Sequence, residues 1–446
     1  MEKSAKLGKL TLLNIILFGF IGQVAWAVEN NFFNTFLFSF GGTTKDISTM
    51  VAASAVVAVV TTLVMVTLSD KPGRRKVFIC AGYVAWGITV MAFAFISREN
   101  LGKLIGADPS SAAALSATVT TVIVMDCIMT FMGSTSNDSA FNAWITDVTV
   151  PSNRAKTEGL LAILTVLALV IVTGVFGFIA GYDAQASDYA TCFLGRGIRV
   201  IICGIVGIFT IKDTGSGQKS DGNFFADLIY GFRPSVIKSH KCLYLSLACM
   251  AVYSIASQVF FPYIFIYIKH QINFETKITV PAVIIAAIVI LAVIAGVLAS
   301  ILLMDKVGKA RFAFPAVVLF IVGLASVYFA GSHLIKFLAC AMLAVGGYGL
   351  LMILLNAAIR DFTPEDKAGQ FQGVRMIFAV MLPMIIGPRL GAEVTERYSD
   401  TTYISAYGEP ALVPSSHIFL AAAIVGAVIL IPLFFLEKEW KRADNK

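Results

Sequence analysis

Apolar runs of membrane-spanning length follow one another along almost the whole of this 446-residue chain. A helix that crosses a bilayer needs about 20 predominantly apolar residues. Hydrophobic residues make up 58% of the chain and charged residues 14%, whereas a soluble domain carries about 25% charged residues. The sequence therefore predicts an all-α integral membrane protein with twelve transmembrane helices. Numbered in order as spans 1 to 12, they cover residues 10–38, 46–68, 77–97, 113–143, 158–181, 196–212, 242–269, 276–304, 311–330, 334–358, 371–392 and 415–436.

The distribution of lysine and arginine predicts the orientation of these spans. If the N-terminal tail is cytoplasmic, 23 of these basic residues lie on cytoplasmic segments and ten lie on the opposite side. Positive charge is enriched in the cytoplasmic loops of membrane proteins, so we expect a multi-pass protein of the plasma membrane with both termini in the cytoplasm. The net charge of +7 follows from this topology. The expected partners are the lipid bilayer and a small-molecule substrate, not nucleic acid, and we expect a monomer.

A short basic turn occurs twice, each time after an apolar run. Residues 70–76 read Asp-Lys-Pro-Gly-Arg-Arg-Lys, and residues 305–311 read Asp-Lys-Val-Gly-Lys-Ala-Arg. The copies lie 235 residues apart, close to half the chain, which indicates two similar halves. Six spans precede a polar stretch and six follow it, so the halves are parallel repeats. The predicted organisation is a first half at 1–211, a cytoplasmic linker with a short amphipathic helix at 212–241, a second half at 242–436 and a cytoplasmic tail at 437–446.

These features resemble the major facilitator superfamily, and within it the glycoside–pentoside–hexuronide cation symporter group, which includes the melibiose carriers. Besides the basic turns, the resemblance rests on Asp-Val-Thr at 147–149 with Arg154, on Asp-Phe-Thr-Pro-Glu-Asp at 361–366 and on Gly-Phe-Arg-Pro at 231–234. One departure is that Val66 and Ile301 stand where the superfamily's turn usually begins with glycine. The resemblance implies two six-helix halves that alternate access to a central site, and import of a sugar or glycoside with a cation.

Charged side chains inside the predicted spans are candidates for transport, because a charge within a bilayer is costly. Glu29 lies in span 1, Asp126 and Asp138 lie in span 4, and Arg375 is the only basic residue that we place within a span. In the glycoside–pentoside–hexuronide group, an aspartate in this part of span 4 contacts sugar and belongs to an Asp-x-x-Phe pattern. Residues 138–141 match that pattern. A basic residue in span 11 of that group helps to link the cation and sugar sites, and Arg375 is its match. The alternatives are a salt bridge or helix cap at Asp138, and snorkelling of Arg375 to the cytoplasm.

Polar and aromatic side chains of span 1 fall along one stripe of a regular helix, formed by Gln23, Trp26, Asn30 and Asn34. Amides exchange hydrogen bonds with sugar hydroxyls, and an aromatic ring covers the C–H face of a pyranose. Glu29 lies about 100° around the helix from Asn30, and the resemblance does not decide which of the two matches the group's sugar-binding carboxylate. We expect Asn142, Gln258 and Tyr263 to complete the substrate site from other spans. The alternative is that these polar groups bond between helices.

The absence of acidic residues from the middle of span 2 bears on the identity of the coupling ion. Sodium-coupled members of the group carry two carboxylates there, whereas residues 50–69 contain no acid. A proton needs only one titratable carboxylate, which Glu29, Asp126 or Asp138 offers. We favour proton over sodium coupling, and facilitated diffusion stays open. Asp126 and Asp138 are about 120° apart on a regular helix, so both cannot face one ligand, and Asp138 is the stronger candidate for binding sugar. No cofactor and no metal site are expected.

The paired basic turns also predict a conformational latch. Their acids can pair with a basic group or with a helix N-terminus and hold the cytoplasmic side closed in one state. The alternative is that the turns serve only as positive-inside anchors. The predicted latch residues are Asp70, Gly73, Arg74, Asp305, Gly308 and Lys309.

Three other functions fit a chain of this kind less well. An exporter of amphipathic compounds would favour an apolar, aromatic cavity. The amides of span 1 and the acids of span 4 argue against such a cavity. A membrane enzyme is disfavoured because the sequence contains no HExxH motif, nucleophile elbow or Walker loop. A non-transporting sensor stays open, since a fold alone does not fix function.

Overall fold

The computed structural model describes residues 7–69, 75–150, 186–212, 230–272, 309–331, 333–364 and 368–444, together with 153, 157, 159–161, 163–165, 167–168 and 171–172. Within these residues, ten helices are long and apolar enough to cross a membrane. They correspond to ten of the twelve predicted spans. Span 8 lies outside the described residues and span 5 lies largely outside them.

The helices of the first half contain two π-helical segments. Span 1 consists of Lys9–Val28, a π-helical turn at Glu29–Phe33 and a last α-helical stretch at Asn34–Ser39. Span 4 consists of Ala112–Gly133, a π-helix at Ser134–Phe141 and Asn142–Val148. The other helices of this half are span 2 at Thr44–Ser69, span 3 at Arg75–Ala92 with a 3-10 turn at Phe93–Phe95, a short helix at Arg98–Ile105 and span 6 at Ala186–Thr210.

The second half contains interrupted helices as well. Span 7 runs from Lys241 to Phe260, and continues through a 3-10 turn at Phe261–Tyr263. Pro262 lies in that turn, and its missing N–H removes one α-helical hydrogen bond. The remaining elements are Pro234–Ser239, Ile264–Tyr267 and the π-helical Ile268–Ile272, span 9 at Lys309–Ala330, span 10 at Leu334–Phe362, span 11 at Ala368–Met376, Ile377–Met381 and Leu382–Tyr398, and span 12 at His417–Ala427 and Leu430–Asp444.

A short helix and a β-hairpin lie in loops between spans, and the sequence predicted neither. Ser97 caps the helix Arg98–Ile105, because its hydroxyl accepts a hydrogen bond from the backbone N–H of Asn100. Gly106 ends the helix in the left-handed conformation, with φ 70°. The hairpin pairs β1 (Thr402–Ile404) with β2 (Pro410–Leu412) in antiparallel register.

Contacts divide the chain into two compact units. The first unit comprises Met1–Gly42, Ala53–Asp221 and Ser405–Glu409. The second unit comprises Thr43–Ala52, Gly222–Ile404 and Pro410–Lys446. The five-residue tip of the hairpin therefore belongs to the first unit, whereas its two strands belong to the second.

Span 6 begins ten residues earlier than predicted. Its first turns carry Tyr189 and Phe193, which are buried and pack against Phe36 of span 1, with ring centroids 5.3 and 5.0 Å away. These two aromatic residues are four positions apart and so lie on one face of the helix. The earlier start places Arg196 inside the span, where it is buried. Our statement that Arg375 is the only basic residue within a span is therefore wrong.

Candidate functional site

Three acidic side chains that the sequence placed inside spans lie close to one another in the first unit. Glu29 is 9% exposed, Asp126 is 2% exposed and Asp138 is half-buried. Glu29 interacts electrostatically with both aspartates. The structure thus brings these carboxylates of spans 1 and 4 into one site.

Glu29 and Asp126 form what we call the carboxylate pair. The hydroxyl of Thr130 donates a hydrogen bond of 3.0 Å to Oε1 of Glu29, and Ser54 of span 2 is hydrogen-bonded to Asp126. Among the described residues, Oε2 of Glu29 and Oδ1 of Asp126 are buried without a hydrogen-bond partner. Buried carboxylate oxygens without donors cost free energy, so the pair is suited to take up a cation.

Asp138 accepts hydrogen bonds from its own helix. The hydroxyl of Ser134 donates to its Oδ2 over 3.1 Å, and Nδ2 of Asn137 donates to its Oδ1 over 3.3 Å. The indole N–H of Trp26 approaches the carboxylate without meeting hydrogen-bond geometry. Within the described part of the chain Asp138 forms no ion pair, and it lies inside a continuous helical segment rather than at a cap. The structure therefore supports neither of the two alternatives for this residue.

Two of the three carboxylates lie in π-helical segments. Glu29 begins the segment Glu29–Phe33, and Asp138 lies within Ser134–Phe141. Such segments are rare in helices and are frequent at functional sites. The angle of about 120° that we predicted between Asp126 and Asp138 assumed a regular α-helix, and this assumption fails beyond Gly133. Hydrophobic periodicity carried no signal for the change, because residues 134–139 are an unbroken polar run without an apolar stripe.

The amides of span 1 bond along their own helix. Nδ2 of Asn30 donates to the carbonyl of Trp26 over 2.9 Å, and Nδ2 of Asn34 donates to the carbonyl of Asn30 over 3.1 Å. Asn30 is exposed and Asn34 is buried. Gln23 and Trp26 are half-buried. These donor bonds run within one helix, so the structure does not show the interhelical bonding that was the alternative for the two asparagines.

The aromatic wall beside this stripe is built from spans 1, 3 and 4. The ring of Trp26 packs against Trp86 of span 3, with ring centroids 5.2 Å apart. A Cβ added to Gly133 of span 4 would lie 2.9 Å from Trp86 and 3.1 Å from Trp26, so only glycine allows both rings to approach there. Asn142, which directly follows Phe141 in span 4, is exposed and donates to the carbonyl of Asp138 over 3.1 Å. The ring of Trp26 therefore lies at the same site as Asp138.

The predicted residues of the second half lie in the second unit and have other partners. Tyr263 is fully buried, and its hydroxyl donates to the carbonyl of Pro388 over 2.6 Å. Our placement of Tyr263 in the substrate site stays a prediction. Gln258 is half-buried. Arg375 is exposed, and its Nη2 donates to Oδ1 of Asn356 over 2.8 Å.

The predicted latch is described only in part. Asp70, Gly73, Arg74, Asp305 and Gly308 lie outside the described residues, as does the side chain of Lys309. The next residue of the first turn, Arg75, forms an ion pair with Asp147 at the end of span 4, with 2.8 Å between Nε and Oδ2. Both side chains are largely buried, at 12% and 14% exposure. This end of span 4 is therefore fixed to the start of span 3.

Sequence reasoning missed Arg196 as a candidate. A buried arginine within a membrane span is a functional candidate by default, and the aromatic residues at the start of span 6 were the signal that could have revealed it. Among the described residues, no group of three or more histidine, cysteine, aspartate or glutamate side chains is arranged to hold a metal ion.

Comparisons with known proteins give one family and a set of similar structures. The sequence model described as Major Facilitator Superfamily matches residues 15–388. No curated protein sequence matches the chain. Solved structures similar to it include the nucleoside transporter NupG (TM-score 0.68, 11% identity, 96% of this chain and 99% of that chain covered) and a bacterial homologue of the human lysosomal transporter Spinster (TM-score 0.67, 11% identity, 96% of each chain). A third is the xylose transporter XylE from E. coli (TM-score 0.65, 12% identity, 96% of this chain and 99% of that chain). At this level of identity, the similarity shows a shared fold.

Proposed function

This chain belongs to the major facilitator superfamily, and we propose that it imports a sugar or glycoside together with a proton. The predicted fold is confirmed by the family and by the similar structures, which identify the chain as a multi-pass membrane transporter and not an enzyme. The proposal adds the direction, the substrate class and the coupling ion. It also assigns the chain to the glycoside–pentoside–hexuronide group on the segments that resemble that group.

The carboxylate pair is the observation that carries this proposal. Two negative charges buried side by side cost free energy unless a cation compensates them. Glu29 and Asp126 each keep one oxygen without a hydrogen-bond partner among the described residues. A proton bound to either acid would remove one charge and supply a donor for one of these oxygens. Release of that proton on the other side of the membrane would complete one coupled cycle.

The surroundings of the pair favour a proton over sodium. In sodium-coupled members of the group, span 2 carries two carboxylates. Here span 2 contributes the hydroxyl of Ser54 beside Asp126. Hard cations bind oxygen ligands best when several of them carry charge, and residues 50–69 of span 2 contribute no charged ligand here. Sodium is the second candidate, because the hydroxyls of Ser54 and Thr130 keep lone pairs for a cation.

Asp138 and Trp26 support the choice of a sugar. A carboxylate accepts hydrogen bonds from vicinal hydroxyls, and these charge-assisted bonds are about twice as strong as neutral ones. The half-buried ring of Trp26 is suited to cover the C–H face of the sugar ring. The amides of Asn30 and Asn142 bond to the carbonyls of Trp26 and Asp138, and Gln23 lies three residues before Trp26 in the same helix. An exporter of amphipathic compounds would have little use for this concentration of polar groups.

The charge bias supports the orientation. With 23 basic residues against ten, we place both termini in the cytoplasm of the plasma membrane, as the positive-inside rule predicts. Accessibility of single cysteines introduced at the two termini, in a variant without the seven native cysteines, tests this orientation.

Uptake into proteoliposomes tests the proposed function. The panel contains radiolabelled pentoses, hexoses, their methyl glycosides and nucleosides, each with an imposed proton gradient, an imposed sodium gradient or neither. We expect accumulation of a sugar or glycoside above the external concentration only with the proton gradient. Accumulation driven by sodium would correct the coupling ion. Equilibration without accumulation under both gradients would contradict symport.

A further inference from the structure

We infer that Tyr83 and Asn137 are positioning residues that hold the carboxylate of Asp138 for substrate. The hydroxyl of Tyr83 and the amide of Asn137 form a hydrogen-bonded connection from span 3 to Asp138 in span 4. This inference rests on the proposed role of Asp138 in binding sugar. It assigns a function to a buried tyrosine and a buried asparagine that the sequence did not single out.

The hydrogen bonds fix the orientation of the asparagine amide. The hydroxyl of Tyr83 lies 2.8 Å from Oδ1 of Asn137, and Nδ2 of Asn137 lies 3.3 Å from Oδ1 of Asp138. A carboxamide has one accepting and one donating end. The Tyr83 hydroxyl also lies 2.9 Å from the carbonyl of Phe18, so its one proton is shared between two acceptors. The carboxylate of Asp138 therefore sets the orientation of the amide, with the NH2 end toward Asp138 and Oδ1 toward the Tyr83 hydroxyl. The opposite orientation would place the amide oxygen against the carboxylate, where the two would repel.

The connection is enclosed by protein. Tyr83 is 0% exposed and Asn137 is 4% exposed. A Cβ added to Gly22 of span 1 would lie 2.4 Å from Oδ1 of Asn137 and 2.8 Å from the Tyr83 hydroxyl. A Cβ added to Gly82 would lie 2.5 Å from Cβ of Ser136. Span 1 therefore packs against the hydrogen bond between Tyr83 and Asn137, and span 3 packs against the neighbouring Ser136. The amide of Asn137 has no room to rotate or to bond to water instead.

The π-helical segment makes this support necessary. Asn137 and Asp138 both lie in Ser134–Phe141, where the regular α-helical hydrogen-bond pattern is replaced by the π pattern. The side chain of Asp138 is half-buried, so its position depends on side-chain partners more than that of a fully packed residue does. Ser134 holds one carboxylate oxygen over 3.1 Å and Asn137 holds the other. Loss of either donor leaves the carboxylate free to adopt other rotamers.

Two variants test the positioning role. Tyr83→Phe removes the hydroxyl that bonds to Oδ1 of Asn137 and to the carbonyl of Phe18, and Asn137→Leu removes the amide at similar volume. For each we expect a rise in Kd and KM of roughly five- to tenfold, the effect of one ordinary hydrogen bond because the carboxylate itself remains, with little change in kcat. The ligand is the methyl glycoside of the uptake panel that the wild-type protein binds best, measured by equilibrium binding in detergent and by uptake.

A matched control separates positioning from loss of structure. Tyr253 is also a buried tyrosine, 3% exposed, and its hydroxyl donates to the carbonyl of Tyr348 over 3.1 Å. Tyr253→Phe removes one hydrogen bond in the second unit and no connection to Asp138, so we expect an unchanged Kd. A structural role alone would lower thermal stability in Tyr83→Phe and in Tyr253→Phe and leave both Kd values at the wild-type level.

The outcomes distinguish this inference from the proposed site itself. Loss of binding in Asp138→Asn with wild-type Kd in both Tyr83→Phe and Asn137→Leu would overturn the positioning role and keep the site. Normal binding in Asp138→Asn would overturn the site, and the inference with it. A raised Kd in either positioning variant, with loss of binding in Asp138→Asn, supports both. If either Tyr83→Phe or Asn137→Leu does not fold, the Kd of the other variant tests the positioning role.

Discussion

Arg98 and Glu409 form a bidentate ion pair although they are 311 positions apart in the sequence. Nη2 of Arg98 donates to Oε1 of Glu409 over 2.8 Å, and Nη1 donates to Oε2. The arginine is 0% exposed and also donates to the carbonyls of Phe40 and Ser111. The ring of Tyr407 lies 4.4 Å from the guanidinium carbon. Within the first unit, a fully buried cation therefore binds residues 405–409.

Removing the acid of this pair should destabilise the protein. Glu409→Gln leaves the buried guanidinium of Arg98 without its counter-charge, and we expect a loss of about 3 kcal/mol, the lower end for a broken buried ion pair. Thermal unfolding in detergent at neutral pH measures the loss. The matched control is Glu396→Gln, because the Lys45–Glu396 pair is 2.6 Å long but 47% and 35% exposed. An exposed pair contributes at most about 1 kcal/mol, so equal losses in the two variants would contradict the assignment.

The same pair predicts a dependence of stability on pH. Hydrogen bonds from Arg98 hold the pKa of Glu409 below its ordinary value, whereas arginine stays charged at any such pH. A carboxyl whose folded-state pKa is lowered contributes stability above its unfolded-state value, about 4.3, and that contribution is lost as the pH falls through the folded-state value. The melting temperatures of wild type and Glu409→Gln should therefore converge as the pH is lowered from about 6 to below about 4. A constant difference across this range would show that the carboxylate charge is not the cause.

Neutralising the carboxylate pair should uncouple transport. In Asp126→Asn the amide supplies a permanent donor and cannot release a proton, so we expect proton-driven accumulation to be lost. Exchange of labelled for unlabelled substrate should continue, because that exchange needs no net proton movement. Glu29→Gln should behave in the same way. Proteoliposome assays of accumulation and of exchange measure the two activities.

An exposed acid provides the control for these variants. Asp108 lies in an outer loop, outside the spans, where its carboxylate accepts hydrogen bonds from Ser110. Asp108→Asn makes the same chemical change and should leave accumulation intact. Full accumulation in both Asp126→Asn and Glu29→Gln would remove the pair from the coupling mechanism.

Asp138 should be required for binding and not for folding. Hydrogen bonds to a charged group contribute about 1.5–3 kcal/mol, so replacing one with a neutral amide is expected to weaken binding by roughly 10- to 100-fold. Asp138→Asn preserves shape, and its melting temperature should stay near that of the wild type, since Asp138 forms no ion pair within the described residues. Equilibrium binding of the panel glycosides measures the effect, with Asp108→Asn again as the control. A loss of fold in Asp138→Asn would indicate a structural role instead.

The spans could be predicted because they depend on local composition. Any stretch of about 20 apolar residues must satisfy its backbone within a helix when it lies in lipid, so the ten described spans follow from the sequence alone. The acidic candidates could be predicted on the same ground, because a charge such as Glu29 or Asp126 stands out in an apolar run. Where a polar stretch precedes a span, as before Tyr189, composition misplaces the boundary and hides Arg196.

Other features depend on contacts between distant segments. Tyr263 is a polar aromatic residue in a predicted span, and only packing shows that it is buried and that its hydroxyl bonds to the carbonyl of Pro388. The hairpin and its tip have no hydrophobic pattern that sets them apart from an ordinary loop. Their position follows from the ion pair of Glu409 with Arg98.

The sequence by itself determined the class of protein, the described spans and the identity of its buried acids, because each of these is a property of residues within one helix. Only the tertiary structure decided which acids meet. It paired Glu29 with Asp126, gave Asp138 its partners through a π-helical segment, and enclosed Tyr83 and Asn137 between three spans. The physical reason is that hydrogen bonds and charge interactions depend on distances between atoms, and those distances are set by how the helices pack.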